Sequence, residues 1–118
     1  MKRVLIADDA AFMRLSIRNI LSKYDYEVVG EADNGKAAVA KYLELRPDIV
    51  TMDITMPEMS GIDALKEIIK SDKEANVVMI TAMGQEWLVK EAILSGAKSF
   101  IVKPFKEDLV MKVLSQIC

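Results

Sequence analysis

The sequence has no histidine and only one cysteine, Cys118 at the last position. Without histidine there is no Ser/His or Cys/His nucleophile pair and no imidazole ligand for zinc. A lone cysteine supports neither a disulfide framework nor a paired metal-ligand spacing, and it fits a reducing compartment. No basic tract is present, and a net charge of -2 argues against a nucleic-acid surface. Apolar runs are all far shorter than a membrane span. The opening "MKRVLIADD" is basic and then apolar, but two aspartates stand where a signal sequence would continue its apolar region. The expected location is cytoplasmic, with neither membrane nor nucleic acid as partner.

What is present fits one domain. A chain of 118 residues is long enough to bury roughly two-thirds of its unfolded surface. Its apolar residues are spread along the whole length, so no linker, second domain or disordered tail is indicated. Five short runs rich in Val, Ile and Met recur: "RVLIA" (3-7), "YEVVGEA" (26-32), "DIVTMD" (48-53), "VVMIT" (77-81) and "SFIVK" (99-103). Most lack alternation, as strands covered on both faces do, while Glu27 and Glu31 in the second suit an edge.

Helical spacing appears between them. It runs through Met13, Ile17, Ile20 and Leu21, then Ala38, Val39, Tyr42 and Leu43, then Ile62, Leu65, Ile68 and Ile69, and finally Leu109, Val113, Leu114 and Ile117. A fourth segment, about 85-95, is less regular. Asn34-Gly35 predicts a turn before the second helix, Pro47 a break after it, Gly61 the start of the third helix and Gly96 the end of the fourth. Five βα units in succession predict an α/β fold, a parallel sheet with right-handed crossovers and helices on both faces. The last helix ends with the chain, so residues 1-118 are expected to be one unit with no output domain.

In such sheets ligands bind beyond the carboxyl ends of the strands. Asp8 and Asp9 end the first run, Asp53 the third within "MDITMPEMSG", Thr81 the fourth and Lys103 the fifth. If Asp8, Asp9 and Asp53 converge to about 4 to 5 Å, each pair repels by roughly 4 kcal/mol at an effective dielectric near 20. Such a cluster needs a cation or a proton. Oxygen ligands without His or Cys favour a hard ion, and carboxylates plus waters suit Mg²⁺, which commonly bridges to phosphate. The metal and Lys103 would neutralise the oxygens of a transferring phosphoryl group, Thr81 would hydrogen-bond one, and Asp53 could attack. Each residue alone has an ordinary explanation. Asp53 could close a turn, Asp8-Asp9 could cap the helix starting near Ala11, Lys103 is one of twelve lysines, and Thr81 could be a plain strand residue. Their joint placement at four strand ends favours chemistry.

The pair Asp8-Asp9, the segment "MDITMPEMSG", Thr81-Ala82 and Lys103-Pro104-Phe105 match, in order and spacing, the motifs of response-regulator receiver domains. The whole chain resembles that family. The resemblance implies the strand order 2-1-3-4-5 and phosphorylation of Asp53 by the phosphohistidine of a histidine kinase. It also implies Mg²⁺ held by Asp9, Asp53 and the backbone carbonyl of Thr55, and by Asp8 through water, with Thr81 and Lys103 touching the phosphoryl group. A cis bond between Lys103 and Pro104 is expected, directing Lys103 toward the site. The protein would assist its own phosphorylation and dephosphorylation without being an enzyme on a separate substrate. Within the family, "DDAAFMR" and "MDITMPEMSGIDALKEI" are most similar to the single-domain chemotaxis regulators. That likeness implies a monomer with a flagellar motor switch protein, or another downstream protein, as target and a phosphatase as further partner.

The resemblance also implies a switch in which Thr81 moves toward the phosphoryl group and an aromatic ring three residues before the lysine takes the vacated space. That ring is Phe100, where several receivers carry tyrosine, so no hydroxyl is available to a partner; ordinary packing is the alternative. The two positions flanking the attacking water in dephosphorylation are Thr55 and Met83, and methionine cannot orient a water by a strong hydrogen bond. The output would be the surface of the fourth helix, fifth strand and fifth helix. Residues 88-118 carry a net charge of +2 and the remainder -4, which would welcome an acidic peptide or simply reflect a solvated face. Trp87, at the start of the fourth helix, is expected to pack partly buried, the alternative being an exposed ring able to report the change.

Three other readings are weaker. A haloacid dehalogenase-type phosphohydrolase needs an acid/base aspartate two residues after the nucleophile, where this chain has Thr55. A flavodoxin-like flavin binder needs a phosphate loop after the first strand, where "ADDAAF" would repel the ligand. A single-domain phosphorelay intermediate, passing its phosphoryl group to a histidine phosphotransfer protein, is left open by the residues.

Overall fold

The computed structural model describes residues 1-117; the lone thiol of Cys118 lies outside the described residues. Five strands, β1 (Lys2–Ala7), β2 (Tyr26–Ala32), β3 (Ile49–Asp53), β4 (Val77–Ala82) and β5 (Ser99–Lys103), alternate with α1 (Ala11–Leu21), α2 (Gly35–Leu45), α3 (Gly61–Ser71), α4 (Val89–Leu94) and α5 (Glu107–Ser115). All strand pairs are parallel, in the order β2-β1-β3-β4-β5, as expected.

Alternate residues of each strand point to opposite faces, and the sheet therefore builds two cores. Leu5, Val50, Met52 and Met79 meet Tyr42, Leu65, Ile68 and Ala92 from α2, α3 and α4. On the other face Val4, Ile6, Ile49, Val78, Ile80 and Ile101 meet Ile17 and Leu21 of α1 and Val110 and Leu114 of α5. β1, β3 and β4 are sandwiched between these layers, which is why their runs are apolar without alternation. β2 is an edge strand. Its pairing with β1 skips one residue between Val28 and Gly30, and its Glu31 faces arginines of α1.

The helices depart from expectation in detail. Asn34 does not form a turn ahead of α2 but caps it, its Oδ1 accepting from the Ala37 N–H at 2.7 Å, with Gly35 already helical. The irregular fourth segment begins as a 3-10 turn, Glu86–Leu88, and becomes α-helical only from Val89; neither start has a side-chain cap. Gly96 follows α4 with a φ of 114°, a conformation that costs a side-chain-bearing residue dearly. In α5 Val113, Leu114 and Ile117 pack in the core as expected, but Val110 is buried there while Leu109 is left 42% exposed. Trp87 is 75% exposed, which corrects the expectation of partial burial. It sits in the short 3-10 turn, where, among the described residues, no element covers the indole.

Candidate metal centre

The carboxyl ends of β1 and β3, adjacent in the sheet, bring their aspartates together. Asp53 is the last residue of β3. The next residue, Ile54, still donates to the Ile80 carbonyl of β4 at 3.1 Å and accepts from the Gly61 N–H at 2.7 Å, so loop 54-60 closes directly onto the strand end. A Cβ at Gly61 would lie 1.9 Å from the Asp53 carbonyl oxygen; only glycine lets α3 start there. Ser60 caps α3 by accepting from the Asp63 N–H at 3.1 Å.

Asp8 and Asp9 follow β1. The cap position of α1 is Ala10, without a side-chain bond, so neither aspartate caps that helix in the expected way. Asp8 instead holds the turn before it, its Oδ1 accepting from the Ala10 N–H at 2.9 Å. The Asp8 N–H donates to the Ala32 carbonyl of β2 at 3.0 Å. Carboxylate oxygens of Asp8, Asp9 and Asp53 lie within 4.8 Å of one another. Asp8 and Asp53 are buried and Asp9 is exposed, which leaves the cluster one open flank.

Lys103, at the end of β5, spans the cluster. Its Nζ is 3.2 Å from Asp8 Oδ2 and 3.2 Å from Asp53 Oδ1, and the Lys103-Pro104 bond is cis. Three carboxylates face one ammonium, a formal excess of two negative charges. The consequence shows in the pKa values. Burial and then the Asp8 charge push the Asp53 carboxyl up to about 6, against the pull of Lys103. For Lys103, burial works to lower the pKa, but Asp53 and Asp8 outweigh it and the ammonium is held above its usual value. An all-oxygen cluster with two uncompensated charges and an open side fits a hard divalent ion that keeps part of its water shell.

Thr81 is fully buried beside β5, its hydroxyl making, among the described residues, only a long 3.4 Å bond to the Ala82 carbonyl. Thr55 is exposed in the loop after β3, and among the described residues its backbone carbonyl accepts no hydrogen bond. Met83 is 73% and Phe100 41% exposed. The structure thus brings together Asp8, Asp9, Asp53 and Lys103, while Thr55 and Met83 lie on the two loops beyond β3 and β4. Two contacts escape sequence reasoning. Arg14 donates from Nη1 to the Asp8 carbonyl at 2.7 Å, and Gln85 donates from Nε2 to Thr55 Oγ1 at 2.9 Å. Arg14 could have been suspected as a buried-side cation one turn into the helix after two aspartates; Gln85 leaves no such signal.

Residues 4-115 match the response regulator receiver domain family. The chain belongs to that family. Among curated relatives of this receiver, "Chemotaxis protein CheY" of Thermotoga maritima is 60% identical over 116 residues, covering 98% of this chain and 97% of that protein. "Chemotaxis protein CheY" of Bacillus subtilis is 58% identical, covering 97% and 95%. A solved CheX–CheY–BeF3–Mg²⁺ complex from Borrelia burgdorferi contains a chain of the same fold, with a TM-score of 0.94, 41% identity and coverage of 98% and 88%. Mg²⁺ is thus recorded with a relative of this receiver, in keeping with its own oxygen cluster. Among the described residues no helix is long and apolar enough to cross a membrane.

Proposed function

We propose that this receiver is a single-domain chemotaxis response regulator of the CheY type, phosphorylated on Asp53 by a histidine kinase. The observation that carries the reading is the convergence of Asp8, Asp9 and Asp53 with Lys103 bridging two of them. Asp9, Asp53 and the Thr55 carbonyl would hold Mg²⁺, with Asp8 acting through water. When bound, the ion supplies charge neutralisation for the incoming phosphoryl group.

In the metal-free site Asp53 is ionised above about pH 6, and a bound cation would favour the attacking carboxylate further. Its oxygen forms a bond to phosphorus as the phosphorus–nitrogen bond of the phosphohistidine breaks, and the electron pair stays on the imidazole, which takes up a proton. Asp53 gives up its own charge in the acyl phosphate, so Lys103 transfers its ion pair from Asp53 Oδ1 to a phosphoryl oxygen. The Thr81 hydroxyl, committed only to a long local bond, turns to another. Water attacking phosphorus later releases phosphate and restores the Asp53 carboxylate.

The new charge of roughly -1.5 to -2 at this rim acts on the fold through Thr81. Movement of its side chain opens space for the half-exposed Phe100, which alters the surface of α4, β5 and α5. That surface would meet a flagellar motor switch protein or another downstream protein, and a dephosphorylating partner would approach the same rim. Complex formation between CheX and CheY in Borrelia burgdorferi supports a protein partner of that kind. The protein would work in the cytoplasm as a monomer.

Intact-mass spectrometry after incubation with acetyl phosphate tests the reading. A Mg²⁺-dependent gain of one phosphoryl group in the wild type, absent from Asp53→Asn, is expected. If neither acetyl phosphate nor a histidine-kinase phosphodonor adds mass to the wild type, the proposal is wrong.

A further inference from the structure

Every polar atom of Asp8 is engaged. Its N–H donates to Ala32 on β2, its Oδ1 accepts from Ala10, its Oδ2 pairs with Lys103, and its carbonyl accepts from Arg14 Nη1 at 2.7 Å. By contrast, no hydrogen bond or ion pair holds the carboxylate of Asp9 among the described residues. The direction of Asp9 is therefore set by its backbone. Because the peptide group is planar, fixing the Asp8 carbonyl fixes the Asp8–Asp9 peptide unit and the N–Cα bond of Asp9, and the Ala10 N–H bonded to Asp8 Oδ1 holds the peptide on its other side, so the two together restrict the backbone rotations that aim the Asp9 side chain.

Arg14 is itself fixed. Its Nε donates to Glu31 Oε1 on the edge strand at 2.9 Å, and its side chain is only 19% exposed. Glu31 is gripped a second time by Arg18, at 2.6 Å, and its backbone carbonyl accepts from Lys41. The fork of one guanidinium thus ties the end of β2, the first turn of α1 and the Asp8–Asp9 peptide into one rigid unit. Arg18 shares Glu31 but does not touch Asp8.

We propose that Arg14 is a positioning residue of the metal site, which aims Asp9 at the ion by clamping the Asp8 carbonyl against Glu31. This rests on the reading of Asp8, Asp9 and Asp53 as the Mg²⁺ cluster. Groups that hold the ligands of a metal typically contribute 10- to 100-fold in affinity. Arg14 would do so without contacting the ion or the phosphoryl group.

The test is isothermal titration of the full chain with MgCl₂ at pH 7.5, on wild type, Arg14→Met, Arg14→Lys, Arg18→Met and Asp53→Asn, each checked for folding by thermal melting. Arg14→Met is expected to weaken Mg²⁺ binding about tenfold or more. A lysine keeps the charge but cannot reach Glu31 and the Asp8 carbonyl together, so Arg14→Lys is expected to weaken binding as well and serves if Arg14→Met does not fold. Arg18→Met, which loosens the same helix from the same glutamate, is expected to stay within about twofold of wild type. Amide shifts of Asp9 and Ala10 should move in the Arg14 variants and not in Arg18→Met. Wild-type affinity in the folded Arg14 variants overturns the inference while leaving the site intact, and so does equal weakening by Arg14→Met and Arg18→Met. A wild type that binds no Mg²⁺ overturns the reading of the site and the inference with it.

Discussion

Gln85 and Thr55 join the two loops at the mouth of the acidic site: the Gln85 amide donates to Thr55 Oγ1 at 2.9 Å, while its Oε1 accepts from the Ala82 N–H at 3.3 Å. One side chain therefore ties the loop after β4, just beyond Thr81, to the loop after β3, just beyond Asp53. Such partly exposed bonds contribute about 0.5–1.5 kcal/mol each. Gln85→Leu is expected to speed amide hydrogen exchange over residues 82-88 by roughly threefold to tenfold, leaving the rest of the sheet unchanged. Mass spectrometry of exchanged peptides checks this, and unchanged protection there would show that the tie does not hold the loop.

The raised pKa of Asp53 makes stability depend on pH in the metal-free protein. Between about pH 4 and pH 6 the folded state keeps a proton that the unfolded chain has released, so stability falls as pH rises through that window and stays lower above it. Asp53→Asn removes the group. The variant should be more stable than wild type at pH 7 by about 3 kcal/mol, with the gap closing toward pH 4. Addition of Mg²⁺ at pH 7 should narrow it by stabilising the wild type. A gap that is the same at pH 4 and pH 7 would contradict the burial-driven shift.

Thr51, in the middle of β3, has a buried hydroxyl with no hydrogen-bond partner among the described residues. Valine has nearly the same shape and no polar atom to desolvate. Thr51→Val is expected to stabilise the protein by about 1 kcal/mol in urea unfolding, without change in Mg²⁺ affinity. A loss of stability would reveal a partner for the hydroxyl.

At Gly61 the Asp53 carbonyl stands 1.9 Å from where a Cβ would be, so the backbone on one side must give way. Gly61→Ala is expected to cost about 1–3 kcal/mol and to weaken Mg²⁺ binding, because the displaced atoms belong to Asp53 itself. Ser60→Ala, one residue earlier, loses only the helix cap and should cost about 1 kcal/mol while sparing the metal. Comparing the two in urea melts and Mg²⁺ titrations separates the effects.

Met83, largely exposed on the loop after β4, can be replaced with little effect on the fold. Its thioether is a poor partner for water, whereas a carboxylate or amide can orient one. Met83→Glu and Met83→Gln should shorten the lifetime of the phosphorylated protein, followed by loss of the added mass after removal of phosphodonor. Equal or slower decay would remove residue 83 from the path of the attacking water.

The sequence by itself determined the five strands, the burial of most of them on both faces, and the acidic and basic residues at their carboxyl ends. These features are local: continuous apolar runs and 3.6-residue patterns are written in neighbouring residues, and a strand end is the last residue of an apolar run. Asp53, Lys103 and Asp8 could be placed on one rim by that logic, because parallel strands must all end on the same side. The tertiary structure decided what local patterns do not encode. Val110 rather than Leu109 enters the core because it shares a helix face with Leu114, one turn on, and that face is the one laid against the sheet, while Trp87 is left 75% exposed on its short turn. Arg14 reaches the Asp8 carbonyl only because Glu31, 17 residues away on an edge strand, is brought alongside by the strand order. Gln85 finds Thr55 across 30 residues because β3 and β4 are neighbours. Side-chain contacts at such separations follow from the twist and order of the whole sheet, which no single stretch of sequence carries.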